Sequence, residues 1–328
     1  MINAKALATM GTSSAPKSAK EFLNDGIQAF NKQKNIVNDE LLAGGKRNAE
    51  ILTEAADSFS KQPKTSTANS VAHQGDEVSI TAKASKIPTT PERQWKLNEV
   101  FSEREIQWIK SIEAQQKALP VTKIADDQVA TLISKNYGKG ATEKGKQLHL
   151  VVGPPGSGKS SVLVDPLSKK HGAMVIDSDA IKPQIEGYKN GLGTNAVHPA
   201  SAKVANQMLV KAMNNGDNIV HPIVGRNEAD LIKMIEVAKS KGYKVGLHLA
   251  DVPPQVSAQR VIARAKAGAA KPDGVIQMVS PDYALNTVGN LPQRVFESVK
   301  SKPGLVSEFS HFNTNVPWGQ KPILVQNG

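Results

Sequence analysis

Two groups of residues in this chain have the types and spacing for phosphate chemistry. The first runs Gly153, Pro154, Pro155, Gly156, Ser157, Gly158, Lys159, Ser160, Ser161 and fits the pattern G-x-x-x-x-G-K-[ST]. Side chains are scarce there for a physical reason. Successive backbone N–H groups must turn inward around phosphate oxygens, and a Cβ would obstruct both the turn and the contact. A helix opening at the loop adds its unpaired N–H groups and the positive end of its dipole. In such a loop the lysine, Lys159, reaches the β- and γ-phosphates of a nucleoside triphosphate, and the hydroxyl of Ser160 ligates Mg²⁺. The second group is Asp177 and Asp179 in "VIDSDAIK". Their i, i+2 spacing in an extended segment points both the same way. One can take a proton from an attacking hydroxyl while the other orders magnesium-bound water, as a small-molecule kinase requires. The plainer alternatives are a structural Gly-Pro turn for the loop and helix-capping or solvated aspartates for the pair.

These groups need a scaffold, and the sequence around them has the rhythm of one. From Leu148 short apolar runs alternate with helical stretches: "LHLVV", a helix after the loop, "AMVID", "PASAKVANQMLVKAMNNG", "NIVHPIV", "NEADLIKMIEVAKSKG", "YKVGLHLA" and "PPQVSAQRVIARAKAG". A late "PILVQ" is one more candidate strand. Continuous apolar strands separated by helices predict an α/β fold with a parallel sheet covered on both faces, here over residues 148–328. The aspartates then stand at the carboxyl end of a strand, where open α/β sheets place their ligands. Upstream, residues 91–147 predict helices that pack on or lead into this domain. One begins with Thr90 as cap and Pro91 in its first turn, with Trp95, Val100, Phe101, Trp108 and Ile112 on apolar faces. Another covers "TKIADDQVATLISKN" and ends at the glycines of "YGKGATEKGK". Residues 1–90 are rich in Ser, Thr, Ala and Lys, with few large apolar residues to offset the entropy of ordering. A helical hairpin around Phe22, Ile27, Phe30 and Ile36 is the exception.

Composition narrows the classes. The chain has 328 residues and no cysteine, which removes disulfides, thiolate zinc sites and cysteine nucleophiles. No apolar run approaches the roughly 18–20 residues of a membrane span, and the start lacks an apolar block of signal-peptide length. The formal charge of +11 favours anionic partners. No block of consecutive basic residues occurs and aromatics are not interleaved with them, so a mildly basic solvated surface explains the charge better than nucleic-acid binding. His248 reads as a core or strand-end histidine. His198 and His221 lie closer to the motifs and either could touch substrate. No spacing of His and carboxylate marks a transition-metal site.

The ordered set "GPPGSGKSS", "VIDSDAIK", "GDNIVHPIVGR" and "GYKVGLHLADVPPQVSAQRVIARAKAG", from about Leu148 to Val299, resembles the zeta toxins, P-loop kinases best known from bacterial toxin–antitoxin pairs. "YALNTVGNLPQRVFESVK" is similar to the region after that family's lid. The resemblance implies that Asp179 is the base, that Arg226 contacts substrate or phosphate, and that Arg260 and Arg264 are lid arginines. Spaced i, i+4, the last two share a helical face and could both lean over the γ-phosphate. The plain alternatives are a surface arginine at 226 and a solvated basic helix. Asp177 joins Ser160 on the Mg²⁺ side. The chain departs from the family at Pro222, where some members have an acidic residue, and at "GAAKPDG", where Lys271 is the cation nearest to a further lid arginine. Both departures touch the acceptor side.

The expected function is therefore an ATP- or GTP-dependent, Mg²⁺-requiring kinase acting as a toxin or effector. Its acceptor would be a hydroxyl of a nucleotide-containing small molecule, with a UDP-N-acetylglucosamine-type sugar nucleotide first. NAD or another dinucleotide, or a polynucleotide end, is the alternative acceptor. A P-loop interaction module without turnover is the alternative of another class. An antitoxin or chaperone is a candidate protein partner. Residues 1–90 would suit either a leader for translocation into a target cell or a partner-binding tail of a cytoplasmic toxin.

Overall fold

The computed structural model describes residues 90–138, 142–317 and 320–328. The expectations for residues 1–89, the helical hairpin among them, lie outside the described residues. A 3₁₀ turn at Leu97–Glu99 precedes α1 (Glu103–Lys117) and α2 (Asp126–Asn136). Then follow β1 (Gln147–Val152), a π-helical turn (Ser160–Val164) running into α3 (Asp165–His171), β2 (Met174–Val175) and α4 (Ser178–Ile181). After α5 (His198–Asn215) come β3 (Ile219–Ile223), α6 (Glu228–Ser240), β4 (Lys244–Asp251) and α7 (Pro254–Ala269). A second π-helical turn (Tyr283–Val288), α8 (Leu291–Lys300), β5 (Glu308–Asn313) and β6 (Ile323–Asn327) complete the chain.

The strands form one sheet in the order β2-β3-β1-β4-β5-β6. The first five are parallel, and β6 pairs antiparallel with β5. Both faces are covered, as continuous apolar strands require. Leu148, Leu150 and Val152 of β1 enter the main core with Val204, Leu209, Ile235 and Phe296 from α5, α6 and α8. Val151 faces the other way, onto Leu163, Val164, Val220 and Ala250. Because β1 to β4 are parallel, their carboxyl ends share one edge, and every loop that carries a motif leaves from that edge. Among the described residues no helix is long and apolar enough to cross a membrane.

Three details depart from expectation. The helix anticipated from Thr90 and Pro91 starts at Glu103 instead. Ser102 caps it and exchanges hydrogen bonds with Glu105, a capping box stronger than a threonine followed by proline. The preceding segment is a strap: Pro91 lies against Gly289, and the Asn286 side chain holds both the N–H and the carbonyl of Trp95 at 2.6 and 2.9 Å. Secondly, β5 was not anticipated. Its "EFSHFN" mixes polar and aromatic residues and carries a register shift between His311 and Phe312. Thirdly, β6 runs antiparallel, because the link from β5 is shorter than the dozen or so residues a parallel crossover needs. The two upstream helices do pack on the sheet domain. Phe101, Ile106, Ile109 and Ile112 share a core with Ala258, Ile262 and Ala265 of α7, while Val129 and Leu132 of α2 enter the main core.

Candidate active site

The loop after β1 turns on Gly153, Gly156 and Gly158, with φ of 154°, 73° and 78°. Two of these glycines are required by packing as well as by the turn. A Cβ on Gly153 would stand 2.4 Å from the Ala250 carbonyl oxygen at the end of β4, and one on Gly156 would stand 2.9 Å from the Ser257 carbonyl oxygen. The Ser257 hydroxyl donates to the Pro155 carbonyl at 2.6 Å, so the start of α7 clamps the loop from above. Lys159 curls over the loop and donates to the carbonyls of Gly153 and Pro154 at 2.7 and 2.9 Å. Burial lowers its ammonium to about 8, against the pull of Asp179 and Asp177, which favour the charged form. The helix after the loop opens with a π turn in place of a regular α turn, a widening frequent at functional sites.

Asp177 and Asp179 follow β2 and face Lys159. Asp177 caps α4, its Oδ1 accepting from the Asp179 N–H at 2.8 Å, so it carries both a structural bond and charge toward the loop. Burial raises its carboxyl. Asp179 pairs through Oδ1 with the Lys182 ammonium at 2.7 Å. Desolvation pushes the Asp179 carboxyl up, but Lys182, with Arg264 behind it, more than reverses this and holds it below its ordinary value. Lys182 is itself buried, so the pair is less screened than a surface ion pair. His198, at the start of α5, lies exposed beside Asp179 and Lys182.

Arg226 follows β3 just before α6; it hydrogen-bonds the Tyr283 phenol and its charge also reaches Asp230. Tyr283 also feels the charge of Asp179. The two arginines of α7 part company. Arg264 acts on Lys159, Asp179 and Tyr188 within the charge cluster. Arg260 instead donates to the Thr314 carbonyl at 2.8 Å and lays its stem near Gly156 of the loop. We expect Arg264→Ala to lower kcat by about 10²-fold with little change in ATP affinity, as loss of one charge-stabilising donor does. Arg260→Ala should chiefly weaken ATP binding, since its anchor holds the loop and not the reacting centre. Steady-state rates beside equilibrium ATP titrations separate the two, and a full-rate Arg264→Ala would assign that residue to the solvated face.

Of the remaining candidates, Pro222 pairs with Val151 inside the sheet, and Lys271 stands exposed beyond α7. His221 is buried with Nδ1 at 2.7 Å from the Ile176 carbonyl, which removes it from contact with a substrate. Lys182, Tyr188 and Tyr283 were not anticipated as site residues. Lys182 lies three residues beyond Asp179, so helical spacing could have revealed it. No local signal joins Tyr283 to an aspartate about a hundred residues earlier. A groove of about 440 Å³ between the start of α2 and residues 184–187 is lined by Ile124, Gln128, Gln184 and Ile185, but by no phosphate-loop residue.

The geometry fits a nucleoside triphosphate and a divalent cation. The loop turns its backbone inward, Lys159 stands over it, and the hydroxyl of Ser160 and carboxylate of Asp177 are the hard oxygen donors Mg²⁺ prefers. Residues 130–305 match the family model described as Zeta toxin. Among curated proteins none matches the chain. Similar solved structures include one from the PezAT chromosomal toxin–antitoxin system of Streptococcus pneumoniae, 16% identical with a TM-score of 0.49, covering 62% of this chain and 83% of that one. The AvrRxo1-ORF1:AvrRxo1-ORF2 complex, solved with sulphate ions and with ATP, is also similar. It is 17% identical with a TM-score of 0.42, covering 69% of this chain and 68% of that one.

Proposed function

The chain belongs to the zeta toxin family of P-loop kinases, and from that membership we propose that it transfers the γ-phosphoryl group of ATP to a hydroxyl of a nucleotide-containing small molecule, a UDP-activated amino sugar first among them. The observation that carries this reading is Asp179, an ionised carboxylate in the charge field of Lys159 and Arg264 and steadied by Lys182. A nucleotide switch has no use for such a group. Asp179 orients the acceptor hydroxyl and takes its proton as the oxygen attacks the γ-phosphorus. The bond from that phosphorus to the β–γ bridging oxygen breaks, and ADP departs. Lys159 and Arg264 stabilise charge on the transferring group and the leaving oxygens. Arg226 and Tyr283, hydrogen-bonded to each other, bind the acceptor. Mg²⁺, held by Ser160 and Asp177, would neutralise phosphate charge. Most of the catalysis is positioning and electrostatics.

The test is an acceptor screen with γ-labelled ATP, and GTP in parallel, using UDP-N-acetylglucosamine, NAD and oligonucleotides, with products identified by mass spectrometry. We expect acceptor-dependent label on the sugar nucleotide. Transfer to NAD or to an oligonucleotide end would keep the kinase and replace the acceptor. Tight ATP binding without transfer to any of them would leave an interaction module. By the same family membership we propose an antitoxin-like protein as a partner; co-expression that relieves toxicity of the chain and co-purifies with it is the check.

A further inference from the structure

At the edge of the sheet opposite the phosphate loop, three histidines and a glutamate converge beneath the carboxyl end of α3. His149, Gly246 and Glu308 are direct neighbours across β1, β4 and β5. The middle position has no side chain, so the flanking ones reach over it. His149 Nδ1 lies 3.1 Å from His248 Nε2 and 3.2 Å from Glu308 Oε1, and the last two atoms are 4.0 Å apart. A Cβ on Gly246 would stand 2.7, 2.8 and 3.0 Å from these same three atoms. From above, the His171 ring lies 4.2 Å, centre to centre, from that of His149. Its Nε2 is buried with no hydrogen-bond partner, an unfavourable state unless something completes it. Ligand atoms of His149, His171 and Glu308 all lie within 4.8 Å of one another.

We propose that His149, His171 and Glu308, with His248 beside them, form a binding site for a divalent transition metal of the zinc type. Metal–nitrogen bonds of about 2.0–2.1 Å in a tetrahedron place ligand atoms about 3.3 Å apart, a spacing these donors nearly have already. The rings are oriented from behind, as metal-binding imidazoles are. His248 Nδ1 meets the Ser310 hydroxyl at 2.8 Å, and His149 Nε2 is 3.4 Å from the Gln147 side-chain oxygen. His149 and His248 are almost wholly buried. The backbone at His171 is fixed as well. Gly172 ends α3 in the left-handed conformation, and Asn218 Nδ2 donates to the His171 carbonyl at 2.8 Å. Nitrogen donors distinguish this site from the oxygen-lined Mg²⁺ position. With three protein ligands grouped within 4.8 Å, the fourth tetrahedral position is left to water. It would pin to the sheet the far end of the helical segment that begins at Ser160.

The test uses the tag-free full chain after treatment with a chelator. Zn²⁺ is titrated against a chromophoric chelator, and Co²⁺ is added separately as a spectroscopic probe. We expect one Zn²⁺ per chain with sub-micromolar affinity, Co²⁺ absorption bands of a four-coordinate site, and a higher melting temperature with Zn²⁺. His171→Ala and Glu308→Gln should each weaken Zn²⁺ binding by at least about 10–100-fold, the loss seen even for residues that only orient ligands. Both side chains are partly exposed, so these variants should fold, and circular dichroism checks this. Absence of stoichiometric Zn²⁺ uptake by the wild type, or uptake unchanged in folded His171→Ala and Glu308→Gln, would overturn the proposal. Should either variant fail to fold, the wild-type Co²⁺ spectrum decides, and octahedral bands alone would reduce the group to a buried hydrogen-bonded cluster.

Discussion

Lys159→Ala is expected to abolish turnover, with a loss of about 10³–10⁵-fold in kcat/KM, the size associated with a cation on a transferring phosphoryl group. The fold should survive, because among the described residues the ammonium bonds to the Gly153 and Pro154 carbonyls of its own loop and to no distant element. Lys182 is committed to Asp179, and Arg264 reaches in from α7 and lies exposed, so neither can take over a charge seated on the loop. Single-turnover rates with the accepted substrate, beside circular dichroism and thermal melts, give the answer. A folded Lys159→Ala chain with normal turnover would falsify the phosphate-loop reading of function.

Asp179→Asn should lower kcat by about 10²–10⁴-fold, the usual effect of removing a general base. The amide keeps shape and volume but accepts no proton. ATP affinity should hold or rise, since a negative charge facing the loop disappears. Lys182 then loses its partner while buried, so a modest fall in melting temperature is expected too. Asp177→Asn should behave differently. Its Oδ1 caps α4, which an asparagine can still do, so the change falls on Mg²⁺ dependence and KM. ATP titrations and single-turnover rates across a Mg²⁺ series distinguish the two. If Asp177→Asn stops chemistry and Asp179→Asn does not, the roles are exchanged. If both turn over normally, the carboxylates are structural and the interaction module displaces the kinase.

What could be read without a structure was whatever contiguous residues must do together. The phosphate loop is legible because backbone curvature, glycine and the lysine lie within nine positions. The aspartate pair is legible because extended backbone repeats every two residues. The order of strands and helices from β1 to α7 follows from apolar runs long enough to be buried on both sides. Weaker patterns misled. Thr90 and Pro91 looked like a helix start, but the Ser102–Glu105 exchange of hydrogen bonds wins, and β5 hid because Ser310 and His311 interrupt its apolar pattern.

Tertiary structure decided everything that depends on register and crossing. Arg260 and Arg264 share a helical spacing, yet the Thr314 carbonyl, brought up at the end of β5, draws one away and leaves the other with Lys159 and Asp179. Tyr283 joins Arg226 only because the turn that carries it packs on α7 and α1, through Ala284 and Leu285. The histidine cluster is the clearest case. No spacing of His and carboxylate along the chain marked a metal site, since His149 and Glu308 are far apart in sequence. They meet because β1, β4 and β5 pair in the register that sets both against Gly246, while α3 ends with His171 above them. Local sequence specifies the torsions and faces of each element, but which residues stand side by side on neighbouring strands is set by packing of the whole sheet.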